Sequence, residues 1–268
     1  MTKLAILTVA LAIGSAQVAR ADVTLKQTTG GKGLGLSGSA PGTTYIKGNK
    51  MRADVVMGDK TMTSIYDLDA QKMFVFDSKK KEADVWDMAA FSAELAKTVD
   101  TSAMKASLKP NGQTKQINGQ TATGYDLEIS MPSAIGGNPD MVMTVTMTGT
   151  TWIVKNAPGT ADYINFYKAA AEKGWIFSDP RAAKSSPGQA RATVEMYKQF
   201  ADAGGIAYET DMQMKVSSTG GGAANPLGGL LARMGNMSMA TTIQSVETGA
   251  LGDDLFAPPA GYKLNQKK

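Results

Sequence analysis

Cysteine and histidine are both absent from this 268-residue sequence. Without them the chain has no Ser-His nucleophilic pair, no thiolate nucleophile, no disulfide framework and no ordinary zinc site. Long apolar runs are scarce as well. The longest, Leu4 to Ile13, falls well short of the roughly 20 apolar residues that a bilayer-spanning helix needs, so no integral membrane span is expected. Neither sign of charge dominates: 28 Lys and Arg stand against 24 Asp and Glu. No basic patch interleaved with aromatics appears, which argues against a nucleic-acid partner. Methionine is what the chain has in excess, with 17 residues.

The first residues, MTKLAILTVALAIGSAQVARADV, place Lys3 before the apolar run and end it at the small-x-small triplet Ala19-Arg20-Ala21. That pattern predicts a cleavable secretory signal peptide over residues 1–21 and a periplasmic mature protein. With no cysteine after the cleavage point, the mature chain is not expected to be a lipoprotein. Removal of the signal leaves 26 basic and 24 acidic residues, a nearly neutral chain over 22–268, long enough for one domain with a sizeable core.

Within that domain the dominant period is two, the mark of half-buried strands. Met51, Ala53, Val55 and Met57 alternate with Arg52 and Asp54. In MVMTVTMTGT, Met141, Met143, Val145 and Met147 oppose a threonine face. Ile206, Tyr208, Thr210, Met212, Met214 and Val216 oppose Glu209, Asp211, Gln213 and Lys215, and a further run carries Met237, Met239, Thr241 and Ile243. One wet face per strand is the antiparallel habit. Polar turns at Asp69 to Lys72 and Ser78 to Lys80, and the Asn118-Gly119 pair, join successive strands as hairpins.

Helices are fewer. Asp87 is placed to cap a helix with Met88, Phe91 and Leu95 inward; Thr160 opens another that Gly174 closes; Ser186 and Pro187 open a third, with Ala190, Val194, Tyr197 and Phe200 inward and Gly204 as its stop. The expected fold is α+β, a curved open antiparallel sheet with helices packed on it. Two glycine-rich stretches, 29–42 and 218–236, are expected to be flexible. In the second, Leu227, Leu230, Leu231 and Met234 share one helical face and make a lid candidate.

Motifs for catalysis do not converge. Gly33-x-Gly35-x-x-Gly38 matches a dinucleotide fingerprint in letters only, because Ser39-Ala40-Pro41-Gly42 follows it where a helix would have to open. The acid pairs Asp67 with Asp69 and Asp253 with Asp254 are the type found in solvated turns. No enzymatic activity and no cofactor are therefore expected. The methionines admit a soft Cu(I) site, with Met234, Met237 and Met239 the densest local group. Their alternation with polar residues fits burial instead, either as a plain core or as a pliable ligand-facing wall. The wall residues would be Met141, Met143, Met147, Tyr208, Met212, Met214, Met237 and Met239.

Several blocks together resemble a family of exported bacterial proteins of uncharacterised function related to the LolA-like lipoprotein-carrier fold. They are YIKGNKMRAD (Tyr45 to Asp54), SIYDLDAQKMFVFDSKKKEADVWDM (Ser64 to Met88), PNGQTKQINGQTATGYDLE (Pro110 to Glu128) and the closing LFAPPAGYKL (Leu255 to Leu264). The resemblance implies an incomplete barrel with helices in or over its concave side. It also implies a non-enzymatic cavity for an acyl chain, a lipid or a lipidated partner. Two alternatives accompany that expectation: an envelope structural or interaction protein whose cavity is filled by its own helices, and methionine-based Cu(I) handling.

Overall fold

A computed structural model describes residues 21–32, 38–98, 104–135, 138–177, 179–185, 187–219 and 237–267. Among these residues twelve strands form one sheet, open at both ends. In chain order they are β1 (Val23–Lys32), β2 (Gly38–Lys47), β3 (Lys50–Met57), β4 (Lys60–Asp67), β5 (Lys72–Asp77), β6 (Glu82–Asp87), β7 (Lys105–Ile117), β8 (Gln120–Ile135), β9 (Asn138–Val154), β10 (Ile206–Thr219), β11 (Met237–Thr248) and β12 (Lys263–Lys267). Their spatial order is β12-β6-β5-β4-β3-β2-β1-β11-β10-β9-β8-β7, so most neighbours in space are also neighbours in sequence. Four helices complete the fold: α1 (Met88–Thr98), α2 (Thr160–Glu172), α3 (Pro180–Ser185) and α4 (Pro187–Asp202). The chain is thus mostly β.

Local chemistry sets the corners. Asp87 Oδ1 accepts from the Ala90 N–H at 3.0 Å and caps α1. Asn118 and Gly119 both adopt positive φ, the backbone a two-residue hairpin turn requires. Asp67 Oδ1 accepts from the N–H groups of Asp69 and Ala70, so this carboxylate serves the turn it starts. Gly174 and Gly204, with φ of 66° and 79°, follow α2 and α4 as left-handed stops.

The sheet departs from the expected all-antiparallel pairing at one edge, where β12 runs parallel to β6. The cause is the segment before it, which crosses the sheet on the outer face rather than turning back as a hairpin. Lys47 Nζ donates to the Leu251 carbonyl at 2.6 Å, Arg52 donates to that of Leu255 at 3.3 Å, and the Tyr262 ring meets Phe76 edge-on at 5.8 Å. Phe256 of this strap is buried, and β12 then covers the edge that β6 would otherwise expose.

The glycine-rich stretch 29–42, expected as a loop, is strand at both ends: β1 pairs with β11 and β2 through Gly31, and β2 begins at Gly38. A Cβ on Gly31 would lie 2.6 Å from the Ser238 carbonyl oxygen, so glycine serves close strand approach here. Residues 33–37 and most of 218–236 lie outside the described residues, as do residues 1–20, where a signal peptide is expected; Ser218 and Thr219 end β10.

Two apolar clusters make up the core, and helices contribute to both. One joins Val23, Leu25, Ile46, Met51, Tyr66 and Met73 of the sheet to Phe91 of α1, Tyr163, Phe166 and Tyr167 of α2 and Val194 of α4. The other joins Tyr125, Leu127, Ile129, Val145, Met147, Met212, Met214 and Met237 to Ala192, Met196 and Phe200 of α4.

Candidate functional site

Three neighbouring strands bring the methionines into adjacent rows. Met147 of β9 lies opposite Met214 of β10, which lies opposite Met237 of β11. Two residues along, Met212 lies between Gly149 and Met239. Because side chains alternate between faces and strands sit about 4.8 Å apart, these residues present their thioethers to one side as a continuous surface. Gly149 permits the arrangement. A Cβ there would overlap the Asp211 carbonyl oxygen and come within 2.9 Å of Met212 Cα.

The next row is polar. Thr151 and Thr210 are buried and face each other across β9 and β10, with their hydroxyls 2.8 Å apart. Thr151 Oγ1 also donates to the Glu209 carbonyl at 3.1 Å. Thr241 continues the row on β11 and meets Thr29 of β1 at 3.3 Å.

Over this surface runs α4. Ala192, Met196 and Phe200, spaced i, i+4, i+8, join the methionine cluster, while Ala190, Val194 and Ala201 join the other. Tyr197 packs against both. Between helix and sheet is a cavity of about 160 Å³, lined by Met147, Met196, Met212, Met214, Met237 and Met239 together with Tyr197, Gln189, Thr193 and Ser238.

A second cavity of about 220 Å³ adjoins it, reaching Leu25, Gln27, Thr44 and Met51 of β1 to β3 and Tyr163 and Tyr167 of α2. Met196, Tyr197, Met212 and Met239 line both and form the partition. Aromatic rings crowd one side of this larger cavity. Tyr167 and Tyr197 stack at 4.7 Å with planes 10° apart, Phe177 meets Tyr197 at 4.9 Å, and Tyr66 meets Phe177 at 5.9 Å. Tyr167 Oη donates to Met51 Sδ at 3.6 Å. Burial pushes the phenols of Tyr66, Tyr163, Tyr167 and Tyr197 up from their ordinary range, which keeps all four uncharged. Among the described residues no Asp, Glu, Lys or Arg lines either cavity.

Of the residues expected to form the wall, Met147, Met212, Met214, Met237 and Met239 come together at the smaller cavity. Met143 does not line either cavity; its register partners are Ser133 and Ser218, further along β9, and it is half-buried. Tyr208 is only 3 % exposed and belongs to the packed core; a bulge between Ala207 and Glu209 interrupts the β10 register at this point. Met141 lies in β9, its side chain outside those described. The lid candidates Leu227, Leu230, Leu231 and Met234 also lie outside the described residues. Met196, Gln189 and Thr193 of α4 complete the lining from the helix side, outside the expected wall. For Met196 the signal is its i, i+4 spacing from Ala192 and from Phe200, the latter already in the expected inward stripe.

No family model matches the chain, and no curated protein matches it. Among solved structures, one of PNGF-II is 12 % identical with a TM-score of 0.36. It covers 92 % of this chain, which spans 31 % of the PNGF-II chain. A domain from Vibrio parahaemolyticus assigned provisionally to outer membrane lipoprotein sorting is 8 % identical with a TM-score of 0.30, covering 87 % of this chain and 88 % of its own. Likenesses this loose leave the site to be read from its own geometry.

Proposed function

We propose that the protein is a periplasmic, non-enzymatic binding protein that takes an apolar chain, such as an acyl group, between α4 and the methionine face of its sheet. In this reading the open sheet acts as an incomplete LolA-like barrel with α4 over its hollow side. The observation that carries the proposal is the meeting of five methionines from three strands with Met196 and Tyr197 around an apolar void. A packed core leaves few voids larger than a water molecule, whereas this one is bordered by side chains that are unbranched and readily reshaped.

Size supports a joint site. Ligand pockets usually span about 300–1,000 Å³, and each cavity alone is smaller. The 220 and 160 Å³ lobes together reach roughly 380 Å³, and three of the four residues between them are methionines. Rotamer changes at Met196, Met212 and Met239 would join the lobes without moving the backbone. The aromatic stack of Tyr66, Phe177, Tyr167 and Tyr197 favours a second reading, an envelope interaction protein whose hollow is filled by its own helices.

Native mass spectrometry of protein isolated gently from its own envelope, followed by denaturation and lipid analysis, separates the two. A discrete apolar adduct released on denaturation is the expected result. A bare mass under conditions that preserve a control lipid complex would sink the binding proposal in favour of the self-filled reading.

A further inference from the structure

We infer that the ligand is an uncharged amphiphile, with a hydrogen-bonding end among Gln27, Thr44 and Thr210 in the larger lobe and its apolar tail among the methionines of the smaller one. The inference deepens the binding reading above and rests on it.

The first support is that no described residue of either lining carries a formal charge. A carboxylate or phosphate drawn into such a site would lose its hydration with no cation to replace it, a cost far above that of burying a neutral hydroxyl. The four phenols, three buried and that of Tyr197 half-buried, cannot supply a charge either, since desolvation holds them protonated.

The unequal polarity of the lobes gives the orientation. Six of the ten residues around the smaller cavity are methionines, and the Thr193 hydroxyl there already donates to the Gln189 carbonyl at 3.0 Å. The larger cavity carries Gln27, Thr44, Thr210, Thr241 and four tyrosines. Hydrogen-bond bookkeeping specifies what it offers. Thr151 donates to the Glu209 carbonyl, so Thr210 is the donor of the Thr151–Thr210 pair and keeps its lone pairs for an incoming donor. Tyr167 donates to Met51 Sδ and is likewise left as an acceptor. Gln27 brings an amide with both functions. Such a lining matches an alcohol or amide end rather than a bare hydrocarbon or an anion.

The experiment compares dodecanol with dodecanoate by equilibrium displacement of an uncharged fluorescent hydrocarbon probe, below the concentrations at which either self-associates. Near pH 8, dodecanoate is expected to bind at least about thirtyfold more weakly than dodecanol. The gap should narrow toward about pH 5 as the carboxyl takes up its proton. Gln27→Leu should weaken dodecanol by about three- to tenfold relative to the hydrocarbon probe, and Tyr167→Phe repeats that comparison from the α2 side. Equal affinity for dodecanol and dodecanoate at pH 8 would overturn the exclusion of charge while leaving the binding reading intact. Unchanged dodecanol affinity in both variants would overturn the placement of the polar end. Failure of every apolar probe to bind the folded protein would remove the binding reading and this inference with it.

Discussion

Met212 and Ile129 offer an internal comparison of void-lining and fully packed side chains. Both belong to the methionine cluster and both are buried, at 4 % and 0 % exposure. They differ in surroundings: Met212 lines both cavities, whereas Ile129 lines neither. Truncation of a buried Met or Ile to Ala costs about 2–5 kcal/mol, a transfer term plus a term for unrelaxed space. Ile129→Ala removes atoms with partners on every side and is expected near the upper part of that range, about 4 kcal/mol. Atoms facing a void have already forfeited the contacts on that side, so Met212→Ala should cost about 2 kcal/mol. Urea unfolding at equilibrium reads the difference as a larger loss of midpoint for Ile129→Ala at unchanged slope. Equal losses would mean that the space beside Met212 is filled in solution by side chains, and the two-lobed cavity would have to be abandoned.

Gly149→Ala should destabilise by about 3 kcal/mol in the same assay, because the added Cβ meets the backbone of Asp211 and Met212 rather than a side chain that can move; a neutral effect would show that β9 and β10 are not this close. At high pH the sign follows from the buried phenols of Tyr66, Tyr163 and Tyr167, whose folded pKa values are raised by burial above the ordinary tyrosine value of 10.0. Their contribution to stability is complete below about pH 10, where the unfolded chain's tyrosines begin to ionise, and declines as pH rises toward the folded values. Phenolate absorbance from these residues should therefore appear together with loss of near-ultraviolet dichroism; gradual ionisation in a folded protein would contradict their burial. Asp87→Ala, which removes the cap of α1, should cost about 1 kcal/mol in thermal or urea unfolding. No measurable loss would show that the cap is dispensable.

Much of the fold could be read from strand alternation because one face of most strands is dry. The inward set Ile206, Tyr208, Thr210, Met212 and Met214 is buried as the period of two predicts, and the turns at Asn118-Gly119 and Asp69 to Lys72 join paired strands. Pairing partners were less accessible. Alternation shows that Met147, Met214 and Met237 face inward, but the register that sets them side by side depends on long-range pairing with no local signature. For the same reason Met143 and Tyr208 look like equals of Met212 along the chain yet do not line the cavities. Gly31 carries a second lesson, since a glycine-rich sequence reads as flexibility when the glycine is there to let β1 approach β11. The strap from Leu251 to Tyr262 is held partly by backbone carbonyls accepting from Lys47 and Arg52, contacts that no residue pattern announces.

An apolar ligand seated against the methionine rows would be sensed by the methionine methyl groups themselves. Carbon-labelled methyl resonances should be assigned by single substitution and followed while dodecanol is added. Saturable shifts are expected at Met196, Met212, Met214 and Met239, which line the cavities, and none at Met73 and Met88, which are fully buried and line neither. Shifts confined to the exposed Met57 and Met62, or no saturable shift at all, would contradict a ligand seated there.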